Sequence, residues 1–295
     1  MTRDISIILP AKNEAESLQQ LLPALRENFP DEEILVVNDG STDSTVEVCE
    51  QQGVTVISHV YSMGNGAAIK TGARNATKSI LIFMDADGQH TPADITRLLD
   101  KLDEGYDMVV GARHLDSHAS LTRRFGNTIY NKIASWMTGY PIEDLTSGFR
   151  AARARHFKKF LYLLPNKFSY PTTSTMAFFR SGLPVGYVPI KALSRTGDRK
   201  SHIRLFHDGL RFLIIIIKIG ALFSPMRFFL PISSALFITG MGYYIYTYTN
   251  WGRLTNMSAI LFLAALFTFL IGIVSEQISA LHYKDIQESQ RRTER

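Results

Sequence analysis

The sequence predicts an α/β protein: a mostly parallel, Rossmann-like sheet domain, followed by interfacial helices and a two-helix transmembrane hairpin. Three observations carry this. Short apolar runs alternate with helix-like segments through the first half. An acidic pair, Asp85 and Asp87, stands just past the fourth such run. The last third holds two long stretches without a charged residue, Phe228–Thr249 and Leu254–Ser275.

The first strand is Ile5–Leu9. Glu14–Asn28 follows as a helix, with Leu18, Leu21, Leu22 and Leu25 at helical spacing. Ile34–Val37 is the second strand and runs into Asn38-Asp39-Gly40-Ser41. Ser41 or Thr42 caps a helix reaching about Gln52. Val54–Ile57 is a third strand, Gly66–Ala76 a helix, Ile80–Met84 a fourth strand, Asp94–Asp103 a helix and Asp107–Val110 a fifth strand. Continuous apolar strands between helices argue for a parallel sheet covered on both faces. Thr122–Thr138 is again helical. Asp144–Arg150 reads as a polar loop, Phe157–Leu164 as a helix ended by Pro165, and Val185–Ile190 as a strand.

Arg195–Arg204 is strongly basic and precedes the apolar third. Leu210–Phe223 is apolar but short and contains Arg211 and Lys218, so it reads as a helix lying in a membrane interface. The two uncharged stretches are long enough to span a bilayer, and the turn Asn250-Trp251-Gly252-Arg253 makes them a hairpin. The organisation is then a sheet domain over 1–205, an interfacial region over 206–226, two spans within 227–281 and a tail over 282–295. Arg253 is the basic residue of the turn. Arg204, Arg211, Lys218 and Arg227 flank the first span, and Lys284, Arg291, Arg292 and Arg295 follow the second. That asymmetry places the sheet domain and the tail on the cytoplasmic side. Tyr243, Tyr244, Tyr246, Tyr248 and Trp251 read as an aromatic belt near the turn. A two-helix hairpin buries little surface in lipid, so a homo-oligomer is expected.

The formal net charge is +5 and the pI about 9.2. The basic residues gather beside the apolar third, which favours a membrane surface or phosphate-rich substrate over nucleic acid. A single cysteine, Cys49, excludes an intramolecular disulfide and reads as a small buried residue. Met1–Asp4 leads straight into the first strand, which is too short for a secretory signal.

Asp85 and Asp87, two apart beyond a strand, point to one side. They lie at the carboxyl end of that strand, where open α/β sheets bind ligands. Such a pair suits a hard divalent cation that keeps its other positions for phosphate oxygens and water. Four more loops share that edge: Pro10-Ala11-Lys12-Asn13-Glu14, Asn38–Asp43, Gly64-Asn65-Gly66 ahead of a helix containing Lys70, and Gly111-Ala112-Arg113. An acidic residue after a second strand commonly holds a ribose or base, and glycines before a helix let amides approach phosphate. Together they read as a nucleotide-diphosphate site with a metal.

Here the sequence resembles the family 2 glycosyltransferases of the GT-A fold. Among them it is most similar to the polyprenyl-phosphate sugar transferases related to dolichol-phosphate-mannose synthase. The likeness lies in Ile8–Glu14, Val37–Ser41, Asp85–His90, Thr146-Ser147-Gly148-Phe149-Arg150 and the hairpin. Asn38 departs from it, because many relatives carry an acid there. The resemblance implies a nucleotide-sugar donor, a polyprenyl phosphate acceptor, Mg²⁺ or Mn²⁺, and a bilayer. It implies nucleotide contact by Pro10, Ala11, Asn13, Glu14, Asp39, Lys70 and Asp85, with Arg195, Arg199 and Lys200 as a basic loop over the diphosphate. Asp85, Asp87 and Gln89 would hold the metal. Arg113, Arg123, Arg124 and Ser147 would meet the acceptor phosphate. Asp87, Arg113, Arg124 and Arg150 would form the catalytic set.

The chemistry is consistent with that assignment. A phosphate monoester, with a second pKa near ~6, is already largely dianionic at neutral pH and needs no general base. Arginines match its oxygens bidentately. A sugar hydroxyl acceptor would require a base. Asp144 then has two readings, that base or a loop-capping carboxylate. A processive polysaccharide synthase would carry Gln-X-X-Arg-Trp, and neither Trp136 nor Trp251 follows an arginine. A magnesium phosphohydrolase places its acidic pair after the first strand. A non-catalytic scaffold would have no use for Asp85, Asp87, Gln89 and Arg113 together.

Overall fold

The computed structural model describes residues 4–113, 121–167, 169–191 and 223–293, with backbone alone for 121–127 and 282–293. The described residues fall into two compact units: one of 1–135 with 140–201, the other of Trp136–Gly139 with 202–295.

In the first unit the strands are β1 (Ile5–Ala11), β2 (Glu33–Asn38), β3 (Thr55–Ser58), β4 (Ile80–Phe83), β5 (Met108–Arg113), β6 (Arg150–Arg153) and β7 (Val185–Ile190). They form one sheet in the order β3-β2-β1-β4-β6-β5-β7. All neighbouring pairs are parallel except those of β6, which is antiparallel to both β4 and β5. The helices are α1 (Ala15–Asn28), α2 (Thr45–Gln51), α3 (Asn65–Asn75), α4 (Pro92–Asp103), α5 (Leu121–Thr138), α6 (Ala154–Phe157) and α7 (Tyr170–Arg180).

Burial on both faces explains the unbroken apolar runs. Ile5, Ile7 and Leu9 share one buried cluster with Leu18, Leu22 and Leu25 of α1 and Ile95, Leu98 and Leu102 of α4. Ile8 faces the other way, against α3. A Cβ on Gly72 of α3 would overlap the Ile8 side chain, so glycine sets how closely helix and strand approach. Cys49 is fully buried in the first cluster, and burial pushes its thiol up to about 11.

Two elements escaped the sequence patterns. β6 begins at Arg150, inside the stretch read as a polar loop, and its Arg-Ala-Ala-Arg has no strand-like alternation. It forms because β4 and β5 each offer it an unpaired edge: Arg150 lies opposite Phe83 on one side and Val110 on the other. The helix α7 is rich in Thr and Ser, which favour other conformations. Its hydroxyls turn inward instead: Thr173 donates to the Ser169 carbonyl at 3.1 Å and Ser174 to the Tyr170 carbonyl at 2.9 Å. The helix expected over Phe157–Leu164 is the short α6 followed by a 3₁₀ turn, Lys158–Phe160.

In the second unit two helices, Pro225–Trp251 and Asn256–Thr293, form a hairpin. Two segments are long and apolar enough to cross a membrane: Pro225–Trp251, mean hydropathy 1.4, and Asn256–Leu281, mean hydropathy 2.6. Their buried seam repeats every seven residues in small side chains: Ser233, Gly240 and Thr247 on one helix, and Ser258, Ala265, Gly272 and Ser279 on the other. A seven-residue repeat keeps one face toward the partner, and small residues bring the backbones close. Ser233 Oγ donates to the Ala265 carbonyl at 2.9 Å. Glu276 accepts from the Met226 amide at 3.2 Å, so a carboxylate of the second helix caps the first.

Candidate active site

The chain runs outward from β1 along one side of the sheet to β3, and β4 lies on the other side of β1. That reversal makes a crevice at the carboxyl ends of β1 and β4. Among the described residues, every loop singled out in the sequence leaves the sheet at this edge or folds back to it.

The loops after β1 and β2 are tied together by short polar side chains. Asn13, at φ +56°, donates its amide to Ser41 Oγ at 2.9 Å and accepts from the Thr42 amide at 2.7 Å. Asn tolerates this left-handed conformation better than other non-glycine residues. The Glu14 amide donates to Thr45 Oγ1 at 3.1 Å, and the Ala15 amide to Asp43 at 3.2 Å. Pro10 and Ala11 end β1, and the Ala11 carbonyl receives the Asp39 amide at 2.8 Å.

Asp39 is 4 % exposed and organises the loop after β3. Its carboxylate accepts from His59 Nδ1, Ser62 Oγ and the amides of Met63 and Gly64, each at 2.8 Å. Burial alone would raise its pKa; the bonds from His59, Met63, Ser62 and Gly64 outweigh it and hold the carboxyl at about 2, against an ordinary 3.8. A depressed carboxylate stabilises the fold above its unfolded pKa and loses that contribution as pH falls through its folded one. Asp39→Asn is therefore expected to cost about 2 kcal/mol of stability at neutral pH. The deficit relative to wild type should shrink as pH falls from about 4 toward 2, which chemical denaturation at a series of pH values would measure.

The expected phosphate cradle at α3 is used differently. Gly64, at φ +105°, and Gly66 make room for the backbone of 165–167: a Cβ on Gly66 would overlap the Pro165 carbonyl oxygen. The Ala67 amide donates to the Asn166 carbonyl at 2.8 Å. Lys70 bonds the Leu164 carbonyl at 3.1 Å and also Asn166 Oδ1. These glycines and Lys70 thus receive a distant chain segment rather than an open phosphate site. Gly66→Ala should destabilise this unit by about 2–3 kcal/mol, since backbone rather than a flexible side chain must move. A lowered unfolding midpoint is the readout.

Past β4, Asp85 is half-buried and Asp87 is 8 % exposed, with Asp87 Oδ1 accepting from the Gln89 amide at 3.2 Å. His90 stacks on Phe149, ring centroids 4.7 Å apart. Across from them, Gly148 leaves the space beside Asp85 open; a Cβ there would stand 3.0 Å from Asp85 Oδ2. Among the described residues no three His, Cys, Asp or Glu side chains cluster as metal ligands. Two oxygen donors with free space beside one of them fit a hard cation that takes its remaining ligands from substrate and water.

Arg113 ends β5 and is gripped by Asp144, whose carboxylate accepts from Arg113 Nε at 2.8 Å and Nη2 at 3.1 Å. Nη2 also donates to Thr146 Oγ1 at 2.7 Å. Asp144 further accepts from the amides of Arg113, Thr146 and Ser147. Burial would raise its pKa; the Arg113 contacts and the Thr146 amide outweigh it and hold it below the usual carboxylate range. The same pairing outweighs burial at Arg113 and raises the guanidinium. Of the two sequence readings of Asp144, the geometry matches the loop-capping one.

Ser147 is 1 % exposed, and its Oγ has no hydrogen-bond partner among the described residues. Arg150, expected in the catalytic set, is fully buried beneath this loop. It donates to the Pro171 carbonyl at 3.0 Å, Ser174 Oγ at 2.7 Å, Thr175 Oγ1 at 3.2 Å and the Ser147 carbonyl. A guanidinium so enclosed shapes the loop rather than touching a substrate. Tyr170, missed in the sequence, supports the same loop through its hydroxyl on the Gly148 carbonyl at 2.9 Å. Only its place on the unrecognised α7 could have signalled it. Arg123 and Arg124 lie in the first turn of α5, where the backbone alone is described, and Arg195, Arg199 and Lys200 lie outside the described residues, as does the interfacial stretch up to 222.

The comparisons with known proteins agree with this geometry. Residues 6–161 match the model of glycosyl transferase family 2, and residues 224–281 match that of the GtrB C-terminal hairpin. Glycosyltransferase AglJ of Haloferax volcanii is 28% identical over 297 residues, covering 96% of both chains. The polyprenol monophosphomannose synthase of Mycolicibacterium smegmatis is 30% identical over 209 residues, covering 66% of this chain and 79% of that one. The glucosyl-3-phosphoglycerate synthase of Mycobacterium tuberculosis, in complex with Mn²⁺ and uridine-diphosphate-glucose, shares the fold. Its TM-score is 0.58 at 20% identity, covering 74% of this chain and 78% of that one. A two-carboxylate crevice at the sheet's reversal point, a match over more than half the chain and a GtrB-type hairpin give one conclusion: this chain belongs to glycosyl transferase family 2.

Proposed function

We propose that this glycosyltransferase moves a sugar from a nucleotide-sugar to a polyprenyl phosphate at the cytoplasmic face of a membrane, inverting the anomeric configuration. The observation that carries the reading is the state of Asp144. It is the acid that the sequence offers as a general base, and its carboxylate is occupied by Arg113, Thr146 and Ser147. A hydroxyl acceptor would have to break that network to lose its proton; a phosphate dianion needs only cationic partners.

Each residue then has a task. Pro10, Ala11, Asn13 and Glu14 line the nucleoside side of the crevice, and Asp39 holds the wall formed by the loop after β3. Asp85, Asp87 and Gln89 would hold Mg²⁺ or Mn²⁺, which supplies charge neutralisation for the leaving diphosphate. Arg113, oriented by Asp144, meets the acceptor phosphate together with Arg123 or Arg124 and the Ser147 hydroxyl, which has no hydrogen-bond partner among the described residues. Arg150 positions that loop from below. Arg195, Arg199 and Lys200 close over the diphosphate. The hairpin spans the bilayer, so a long polyprenyl tail stays in lipid, and copies of the chain associate through its exposed apolar faces.

The test incubates purified protein in vesicles with radiolabelled GDP- and UDP-sugars and either undecaprenyl or dolichyl phosphate. Label extractable into organic solvent is expected with one donor. Transfer to a soluble sugar in preference to the lipid would overturn the reading.

A further inference from the structure

We propose that Trp136 is a membrane anchor, its indole seated in the phospholipid headgroup layer where the first hairpin helix enters the bilayer. The inference rests on the bilayer-spanning reading of the hairpin.

Trp136–Gly139 belongs to the same compact unit as the hairpin, although 84 residues of sequence lie between Gly139 and the helix N-cap, Ser224. The join is specific. The last carbonyls of a helix lack intrahelical partners. At the end of α5 two of them are met by the start of the first hairpin helix. Arg227 Nη1 donates to the Trp136 carbonyl at 2.5 Å, and Ser224 Oγ to the Met137 carbonyl at 2.8 Å. A cation is also favourable at a helix C-terminus. Gly139, at φ +82°, lets the guanidinium lie against the chain; a Cβ there would stand 3.4 Å from both terminal nitrogens of Arg227.

This join decides which neighbour faces out. Met137 is 3 % exposed, whereas Trp136 is 52 % exposed. A tryptophan has an apolar body and one polar N–H, a combination enriched at membrane–water interfaces. The level is also right. Arg227 to Trp251 is 24 helical steps, or about 36 Å at 1.5 Å each, against about 30 Å of hydrocarbon. One end of that span carries Trp136 beside Arg227. The other carries the exposed Tyr246, Tyr248 and Trp251. The Arg227 guanidinium, bonded to the Trp136 carbonyl, also complements headgroup phosphates. The hairpin therefore has an aromatic anchor at each end, and the one beside Arg227 is contributed from a remote part of the chain.

The chain's two tryptophans make the test direct. Trp251→Phe leaves Trp136 as the fluorophore, and Trp136→Phe leaves Trp251. Each full-length variant is reconstituted into phosphatidylcholine–phosphatidylglycerol vesicles whose acyl chains carry bromine either near the headgroup or near the bilayer centre. Emission from Trp136 should be quenched by the shallow bromines and little changed by the deep ones. Unquenched Trp136 alongside quenched Trp251 would overturn the anchor and leave the hairpin in the membrane, as expected if water or a second copy of the chain covers Trp136. Quenching of neither tryptophan would overturn the bilayer-spanning reading and the anchor with it.

Discussion

Asp87→Ala is expected to abolish sugar transfer while leaving the fold intact. Asp87 and Asp85 stand at the crevice where the sheet reverses, and Gly148 keeps the space beside Asp85 clear. On the proposed metal assignment, removing this carboxylate would withdraw stabilisation from the leaving diphosphate. An effect of several kcal/mol corresponds to about a thousandfold or more in rate. The thermal unfolding midpoint should change little, since Asp87 lies in a loop past β4 and outside the sheet. Chelation of divalent ions should reproduce the loss in wild-type protein, and added Mg²⁺ or Mn²⁺ should restore it. Full turnover in excess chelator would remove the metal assignment altogether.

Arg113→Ala should lower transfer to the lipid by about 30- to 1000-fold, the equivalent of about 2–4 kcal/mol for a lost charge-assisted contact to a desolvated dianion. Donor binding, measured by calorimetry with the nucleotide-sugar, should remain detectable. The substitution also leaves the Asp144 carboxylate buried without its cation, which costs stability on its own account. The double variant Arg113→Ala/Asp144→Ala separates the two effects. It removes the stranded charge, so a double variant that stays inactive assigns the loss to the missing guanidinium. Asp144→Asn should weaken transfer less than Arg113→Ala, because the amide oxygen can still accept from Arg113. Normal transfer by Arg113→Ala would exclude Arg113 from the acceptor site.

Much of this protein is local in origin and was legible as such. Ile5–Leu9, apolar but for Ser6, and Ile80–Met84 announce buried strands because runs so rich in apolar side chains are costly to leave at a surface. The hairpin follows from uncharged stretches long enough to span a bilayer. The reversal of strand order at β1 then brings Asp85 and Asp87 to the crevice that the α/β pattern implied. What the chain alone did not show is which charged groups remain available. Lys70 looks like a phosphate ligand until Leu164 and Asn166, 94 and 96 residues away, receive its ammonium. Arg113 and Asp144 read separately as an acceptor ligand and an optional base, and a separation of 31 residues hides that Asp144 is held as the carboxylate that orients Arg113. Arg150 reads as part of an open loop, yet its place between β4 and β5 buries it. Apolar periodicity is a property of neighbouring residues and survives in the one-dimensional string. The partner of a buried charge is chosen by desolvation, which exists only once distant segments have closed around it.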